Sequence, residues 1–420
     1  MSGRALGIDL GTSGVRAAVI DDRGEVVGFG AAALAAPLRR DGAALAEATW
    51  RALAALGPLD MIAAVAVDGT SGSVLAIDAA GAPVAPLALY NDPAPGEWLA
   101  RIDACAPADT AARGPASALA KYLALRENPA VAQVLHEADW ITGQLFGDFA
   151  VTDENNALKT GYDPRERCWP GWLADLTGPG FPWPRVVAPG TVLGTVGPFG
   201  RALGFDPAAR IVAGTTDGCA AFLATGAAEI GDGVSSLGST LTLKLLSERP
   251  IFAPEFGIYS HRLGDRWLAG GASNAGGAVL AAYFSQDQLA ALSAAIDPMQ
   301  SSGLDYYPLL RPGERFPISD PALAPRLSPR PVEDVRFLHG LLEGLARIEA
   351  LGYQRLAENH ASPLASLRSV GGGAANPIFT AIRARLMGVP FLPARAEEAA
   401  VGTARLALSA LGGQTAPSKP

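Results

Sequence analysis

The chain is poor in the residues that signal metal, redox or membrane chemistry. It has three cysteines, four histidines and four methionines among 420 residues. Cys105, Cys168 and Cys219 are far apart and odd in number, so they form neither a disulfide framework nor a CxxC or Cys/His metal spacing. A reducing compartment fits such a chain, and a cytoplasmic location is expected. No uninterrupted apolar run reaches about 18 residues, so no membrane span is expected. The first strand starts by about residue 5, and no signal peptide is expected before it. Positive charge is also scarce: 33 Lys and Arg stand against 41 Asp and Glu, a net charge of −8. That balance argues against nucleic acid or an acidic membrane surface as a partner. There is no Gly-x-x-x-x-Gly-Lys phosphate loop either.

What is present is apolar and glycine-punctuated. Apolar residues make up 49% and charged residues 18%, the balance of a packed globular protein. A chain of 420 residues is long for one core, so two domains are expected. The 49 glycines and 33 prolines are spread along the chain and mark turns. The tail from Gly412 to Pro420 is small and polar and is expected to fray.

The glycines concentrate where apolar strands end. Ala5 to Ile8 predicts a buried strand, and Val15 to Ile20 a returning one. Between them lie Asp9, Gly11, Thr12, Ser13 and Gly14. Such a tip either is a turn that needed glycines or holds phosphate on its backbone N–H groups and a hydrated cation on Asp9. Glu25 to Gly30 predicts a third strand, Ala43 to Leu56 a helix, and Met61 to Val67 a strand ending in Asp68-Gly69-Thr70-Ser71-Gly72-Ser73. Strands over Val74–Asp78 and Leu87–Tyr90 and helices over Pro115–Asn128 and Ala132–Leu145 follow. In this region Lys121 and Asp153 are candidates to face a cleft, and the aromatic stretch Cys168–Trp183 reads as a packed surface region, partly lid-like.

Ile211 to Ala213 predicts a strand, followed by Gly214-Thr215-Thr216-Asp217-Gly218 and a helix from Cys219 to Gly226. Asp217 falls in the first turn, where a carboxylate is favoured, so it serves either as a cap or as a functional acid. Next, Ser236-Leu237-Gly238-Ser239-Thr240 repeats the strand, Gly-Ser-Thr turn and strand of the first tip, half a chain later. A phosphate turn repeated once per half argues for two related domains facing each other across a cleft. A strand over Arg266–Ala269 opens into a glycine-rich stretch that ends at Gly277, before a helix over Ala278–Phe284. After a long helix over Asp334–Leu356, a strand over Leu367–Val370 opens into Gly371-Gly372-Gly373-Ala374-Ala375-Asn376-Pro377. A triple glycine lets a flat ring or a phosphate lie against the main chain. Asn376 reads as an N-cap, Pro377 as the first helical residue and Gly388 as the stop. The last helix spans Val401–Leu411.

These clusters, in this order, resemble the FGGY carbohydrate kinase family of the actin/hexokinase/Hsp70-like ATPase superfamily, from residue 5 to about 411. Asp68–Ser73, Asn156–Lys159, Gly303–Pro308 and Gly352–Leu356 are most similar to the D-ribulose kinases of cyanobacteria and plant plastids. The resemblance implies an α/β fold of two ribonuclease-H-like domains around a central cleft. It implies a sugar-binding domain over 1–224, completed by a C-terminal helix within 398–420, and a nucleotide-binding domain over 225–397. It implies ATP and Mg²⁺, a small-molecule sugar as substrate, and a monomer or homodimer. By the same pattern Asp217 is the general base. Asp9 and Asp217 hold the metal, Thr12 serves the γ-phosphate, and Asp9, Thr12, Ser71 and Asp217 line the sugar site. Gly11, Thr12, Ser13, Gly238, Ser239 and Thr240 hold phosphates, and Gly372, Gly373 and Asn376 line the adenine or ribose site. Where many members carry Trp-x-Asp-x-Arg, this chain reads Leu89-Tyr90-Asn91-Asp92-Pro93, which weakens glycerol and xylulose as acceptors. The expected reaction is phosphorylation of a ketopentose, D-ribulose to D-ribulose 5-phosphate. The alternatives are another ketose or polyol (xylulose, ribitol, a glycerol-like acceptor) and, as a minor one, a slow ATPase switch or scaffold.

Overall fold

A computed structural model describes residues 3–412, and residues 413–420 of the expected frayed tail lie outside it. The chain divides into two compact units. The first comprises residues up to Ala224, His261–Gly264 and the chain from Glu398 onward; the second comprises Thr225–Ser260 and Asp265–Glu397.

The first unit is built on a seven-stranded sheet. Arg4–Gly11, Gly14–Ile20 and Val26–Ala33 form an antiparallel meander, and Ile62–Gly69 lies parallel to the first of them. Arg210–Val212 continues the sheet in parallel, and Thr215–Thr216 pairs with the end of Ile62–Gly69. Leu6, Ile8 and Leu10 are fully buried on the first strand, each contributing about 1.5–3 kcal/mol of burial. The helix Gly42–Ala54 starts on Asp41, whose carboxylate accepts from Ala43 and Ala44 N–H.

The C-terminal helix Ala399–Ser409 returns to this unit through missing side chains. A Cβ on Gly7 would stand 2.1 Å from the Ala400 carbonyl, and one on Gly402 would stand 1.8 Å from the Ala220 carbonyl. The helix therefore lies in backbone contact with the first strand on one side and with helix Asp217–Ala224 on the other. Thr403, on the same helix, donates its hydroxyl to Asp68.

The second unit repeats the first one's strand plan. Asp232–Leu237, Leu241–Ser247 and Arg266–Ala272 form an antiparallel meander, and Ser366–Val370 lies parallel to the first of them. The long helix Asp334–Glu358 packs on this sheet and buries Phe337, Leu341, Leu345 and Ile348 on one face. Asn376 caps the helix Pro377–Met387, and Gly388 ends it in the left-handed conformation.

Two expected elements differ. Leu87–Tyr90 is not a strand; a single bridge joins Ala88 to Val74. Residues 132–136 are not helical: Gln133–His136 is a strand paired with Val74–Ile77, and the helix begins at Glu137. The expected helix ran through both because the apolar spacing of this stretch suits either form. The aromatic stretch after Cys168 packs as a ladder, with Trp169 and Trp183 stacked at 4.5 Å and Trp183 against Tyr122 at 5.6 Å.

Candidate active site

In the first unit three carboxyl groups meet at neighbouring strand ends. Asp9 pairs with Asp68 across the parallel strands, and Thr215 pairs with Asp68 from the other side. Two residues past Thr215, Asp217 opens the helix that runs to Ala224. Asp68 is fully buried, Asp9 is 5% exposed, and Asp217 is half-buried. The Oδ1 atom of Asp217 accepts the Gly218 N–H at 2.7 Å, the bond of a first-turn acid.

The electrostatics follow from this crowding. Burial, with the negative charge of Asp217, pushes Asp9 up to about 6, against the pull of a hydrogen bond with Asp68 and of Arg16. Burial raises Asp68 well above the carboxylate range, with the charge of Asp9 adding to it. Arg16 lies across the strand pair from Asp9, at 3.7 Å from its Oδ2, and its Nε reaches Glu398 at 3.3 Å.

Thr12 and Ser13 are exposed at the tip of the first hairpin beside half-buried Gly11. Ser71 sits in the turn after strand Ile62–Gly69, its Oγ buried and without a hydrogen-bond partner among the described residues. A buried hydroxyl in that state costs about 1–3 kcal/mol unless something bonds it. The two cleft candidates have structural duties. Lys121 is buried and donates its ammonium to the Leu89 carbonyl at 2.6 Å, with burial lowering its pKa to about 8. Asp153 caps the short helix Glu154–Ala157, which turns Asn155 toward the Thr215 hydroxyl at 2.9 Å. Asp153 thus supports the strand end that precedes Asp217.

In the second unit the turn Gly238-Ser239-Thr240 is braced from outside. Gly277 N–H donates to the Gly238 carbonyl at 2.9 Å, and Ala278 N–H to the Ser239 carbonyl at 3.1 Å. Gly276 packs so close that a Cβ there would lie 2.6 Å from the Ser239 carbonyl and from the Thr240 Cα. The triple glycine is largely occupied by packing. Cβ atoms on Gly371 and Gly373 would stand 3.1 and 2.8 Å from Leu237, whereas Gly372 faces open space. The Asn376 side chain is fully engaged: its oxygen caps the helix and its Nδ2 donates to Ser293 Oγ at 2.9 Å. A cavity of about 30 Å³ lies between the turn and the glycines, lined by Leu237, Gly238, Gly276, Gly277, Gly373 and Phe379.

Arg16, Gly276, Gly277 and Thr403 were not foreseen as site residues. For Arg16 a signal existed, because an antiparallel hairpin closed by Gly11 and Gly14 sets it opposite Asp9. The donor set suits a nucleotide and a divalent cation. Gly238 and Gly372 leave backbone open beside the cavity, and Asp9 and Asp217 repel each other until a cation lies near them. Among the described residues no group of three or more His, Cys, Asp or Glu could hold a metal ion. No helix among the described residues is long and apolar enough to cross a membrane.

This combination defines a class. The α/β fold is that of the FGGY sugar kinases, which have two actin/hexokinase-like ATPase domains: the chain superposes on a xylulose kinase from Bifidobacterium adolescentis with a TM-score of 0.83, at 22% identity, covering 99% of this chain and 94% of that one. It superposes on a gluconate kinase from Lactobacillus acidophilus with a TM-score of 0.82, at 18% identity, covering 98% and 90%. At the level of sequence, residues 233–411 match the C-terminal domain of the FGGY family of carbohydrate kinases. A xylulose kinase of Streptomyces coelicolor is 28% identical over 451 residues, spanning 98% of this chain and 89% of that protein. Both sequence likenesses, that of residues 233–411 and that of the chain as a whole, are to carbohydrate kinases.

Proposed function

We propose that the protein is a cytoplasmic, ATP-dependent kinase of a neutral ketopentose, with D-ribulose and D-xylulose as the two leading acceptors. The observation that carries this is the meeting of Asp9, Asp68 and Asp217 at three adjacent strand ends. D-ribulose is the acceptor suggested by the sequence segments, and the names of the relatives weigh toward xylulose. Charge supports a neutral acceptor. Asp217 acts electrostatically on Asp9, Asp68 and Glu137, so three carboxyl groups surround it. Of the nearby cations, Arg39 is committed to Glu137, and Arg16 lies between Asp9 and Glu398. An anionic acceptor such as an aldonate meets repulsion there.

In this proposal Asp217 accepts the proton of the acceptor hydroxyl as the phosphoryl group transfers. Ser71 Oγ bonds a sugar hydroxyl, and Arg16 offers its guanidinium to the transferring group. Thr12, Ser13 and the turn Gly238–Thr240 hold phosphate through hydroxyls and backbone N–H groups. The apolar cavity beside Gly238 receives part of the base or ribose, along Gly372 and Gly373. Asn376 keeps its capping role and shapes this wall, because both ends of its amide are bonded within the protein. Asp9 and Asp217 would hold Mg²⁺, which neutralises phosphate charge when bound.

The test is ADP release in a coupled assay over D-ribulose, D-xylulose, ribitol, glycerol and D-gluconate. Stimulation by a ketopentose well above that by gluconate is expected. ADP release that no acceptor raises above buffer would point to a slow ATPase and sink the proposal.

A further inference from the structure

The geometry points to Arg39 and Glu137 as positioning residues that hold the Ser71 hydroxyl for the acceptor, an inference that rests on the kinase proposal above. Ser71 lies in a tight turn held by several hydrogen bonds. Ser73 N–H donates to the Thr70 carbonyl at 3.1 Å, and the Thr70 hydroxyl donates to the Leu10 carbonyl at 3.3 Å. Ser73 Oγ accepts Tyr90 N–H at 3.2 Å, and Gly72 supplies the positive φ of 88° that closes the turn. Within it the Ser71 Oγ is buried without a hydrogen-bond partner among the described residues.

The turn is also held from another part of the chain, through Thr70 N–H. It donates to Glu137 Oε1 at 2.8 Å. Both Glu137 oxygens also accept from Arg39 Nη2, at 2.8 and 2.7 Å. Glu137 is 1% exposed and Arg39 4%. The stem of Glu137 fills the space beside Gly69, where a Cβ would come within 3.0 Å of its Cγ. The ion pair thus sits directly under the turn, with a glycine cleared to admit it.

A buried ion pair is a weak source of stability, because desolvating both charges offsets their attraction. Its use here is geometric. A carboxylate with fixed orientation makes a charge-assisted bond to Thr70 N–H, and that bond sets the height and tilt of the next residue, Ser71. Arg39 locks the carboxylate in turn. The remaining Arg39 nitrogens, Nε and Nη1, are buried without a partner among the described residues, so the guanidinium is not there to satisfy its own donors. Neither residue reaches the reacting atoms; both act through the turn.

The experiment is steady-state kinetics of the full chain with the preferred ketopentose, for Glu137→Gln, Arg39→Lys and the apolar double variant Arg39→Leu/Glu137→Leu. The double variant removes both charges together, so it is expected to fold. A rise of about 10-fold or more in KM for the sugar is expected in Glu137→Gln and in the double variant, with KM for ATP within about twofold. Arg39→Lys, which keeps the charge, should recover most of the wild-type KM. Adding Ser71→Ala to the double variant should raise KM little further, since both changes remove the same contact. An unchanged sugar KM in the folded double variant, or fully additive effects with Ser71→Ala, would overturn the inference while leaving the kinase proposal standing. A wild-type protein that phosphorylates no acceptor overturns both.

Discussion

Asp9 carries a conflict between stability and function. Its carboxyl titrates near 6 because burial and Asp217 disfavour its charge. In the unfolded chain it titrates near 3.8, so between these values the folded state binds the extra proton. Stability from this group is therefore present below about 3.8 and is lost as pH rises through 6. Asp9→Asn should raise the melting temperature of the metal-free protein at pH 7.5, and the gain should shrink by pH 5. The gain is at most about 3 kcal/mol, two units of displacement at 1.4 kcal/mol each. Thermal unfolding of both proteins at the two pH values checks this, and an unchanged melting temperature at pH 7.5 would mean that the Asp9 charge is already compensated. Arg16 gives a second prediction at this scale. Arg16→Met should lower kcat by about 10²-fold, the usual cost of removing one charged donor from a transition state. A loss confined to sugar KM would instead make Arg16 a binding residue.

At the scale of elements, the candidate residues of each unit depend on packing that no local pattern announces. Thr403→Val removes the hydroxyl that donates to fully buried Asp68 and should cost about 1–3 kcal/mol of stability, read by denaturant unfolding. Gly276→Ala would push a methyl group to within 2.6 Å of Ser239 and Thr240. The turn must then shift, so KM for ATP should rise several-fold while KM for the sugar stays constant, and the reverse pattern would detach this turn from the nucleotide. What sequence discloses here is the local part: strand ends with glycines, the Asn376 cap, and Asp217 in a first turn. Those features depend on residues a few positions apart. The Arg39–Glu137 pair spans 98 residues and the Thr403–Asp68 bond 335, and only the folded chain brings such partners together. The strand Gln133–His136 was hidden for a related reason, since its extended form comes from pairing with Val74–Ile77 and not from its own spacing. The triple glycine suggested a ligand cradle by composition, yet two of the three glycines admit Leu237.

For the whole molecule, the repeated plan of a three-stranded meander plus a parallel fourth strand makes each unit a variant of one theme. The variation divides the chemistry. The first unit carries the buried acids and the free serine hydroxyl, which suit an acceptor with several hydroxyl groups. The second carries a glycine-lined turn beside a small apolar cavity, which suits a nucleotide. The excess of acidic residues, −8 overall, has a local counterpart in the three carboxyl groups around Asp217 and favours an uncharged acceptor. The most direct measurement is phosphorus NMR of ATP, Mg²⁺ and a ketopentose incubated with wild-type protein and with Asp217→Asn. With wild type a sugar phosphomonoester signal should grow as ATP is consumed. With Asp217→Asn its rate should fall by about 10²–10⁴-fold, the range for loss of a general base. No phosphomonoester from D-ribulose or D-xylulose with wild type, or equal rates from the two proteins, would contradict a ketopentose kinase that uses Asp217 as its base.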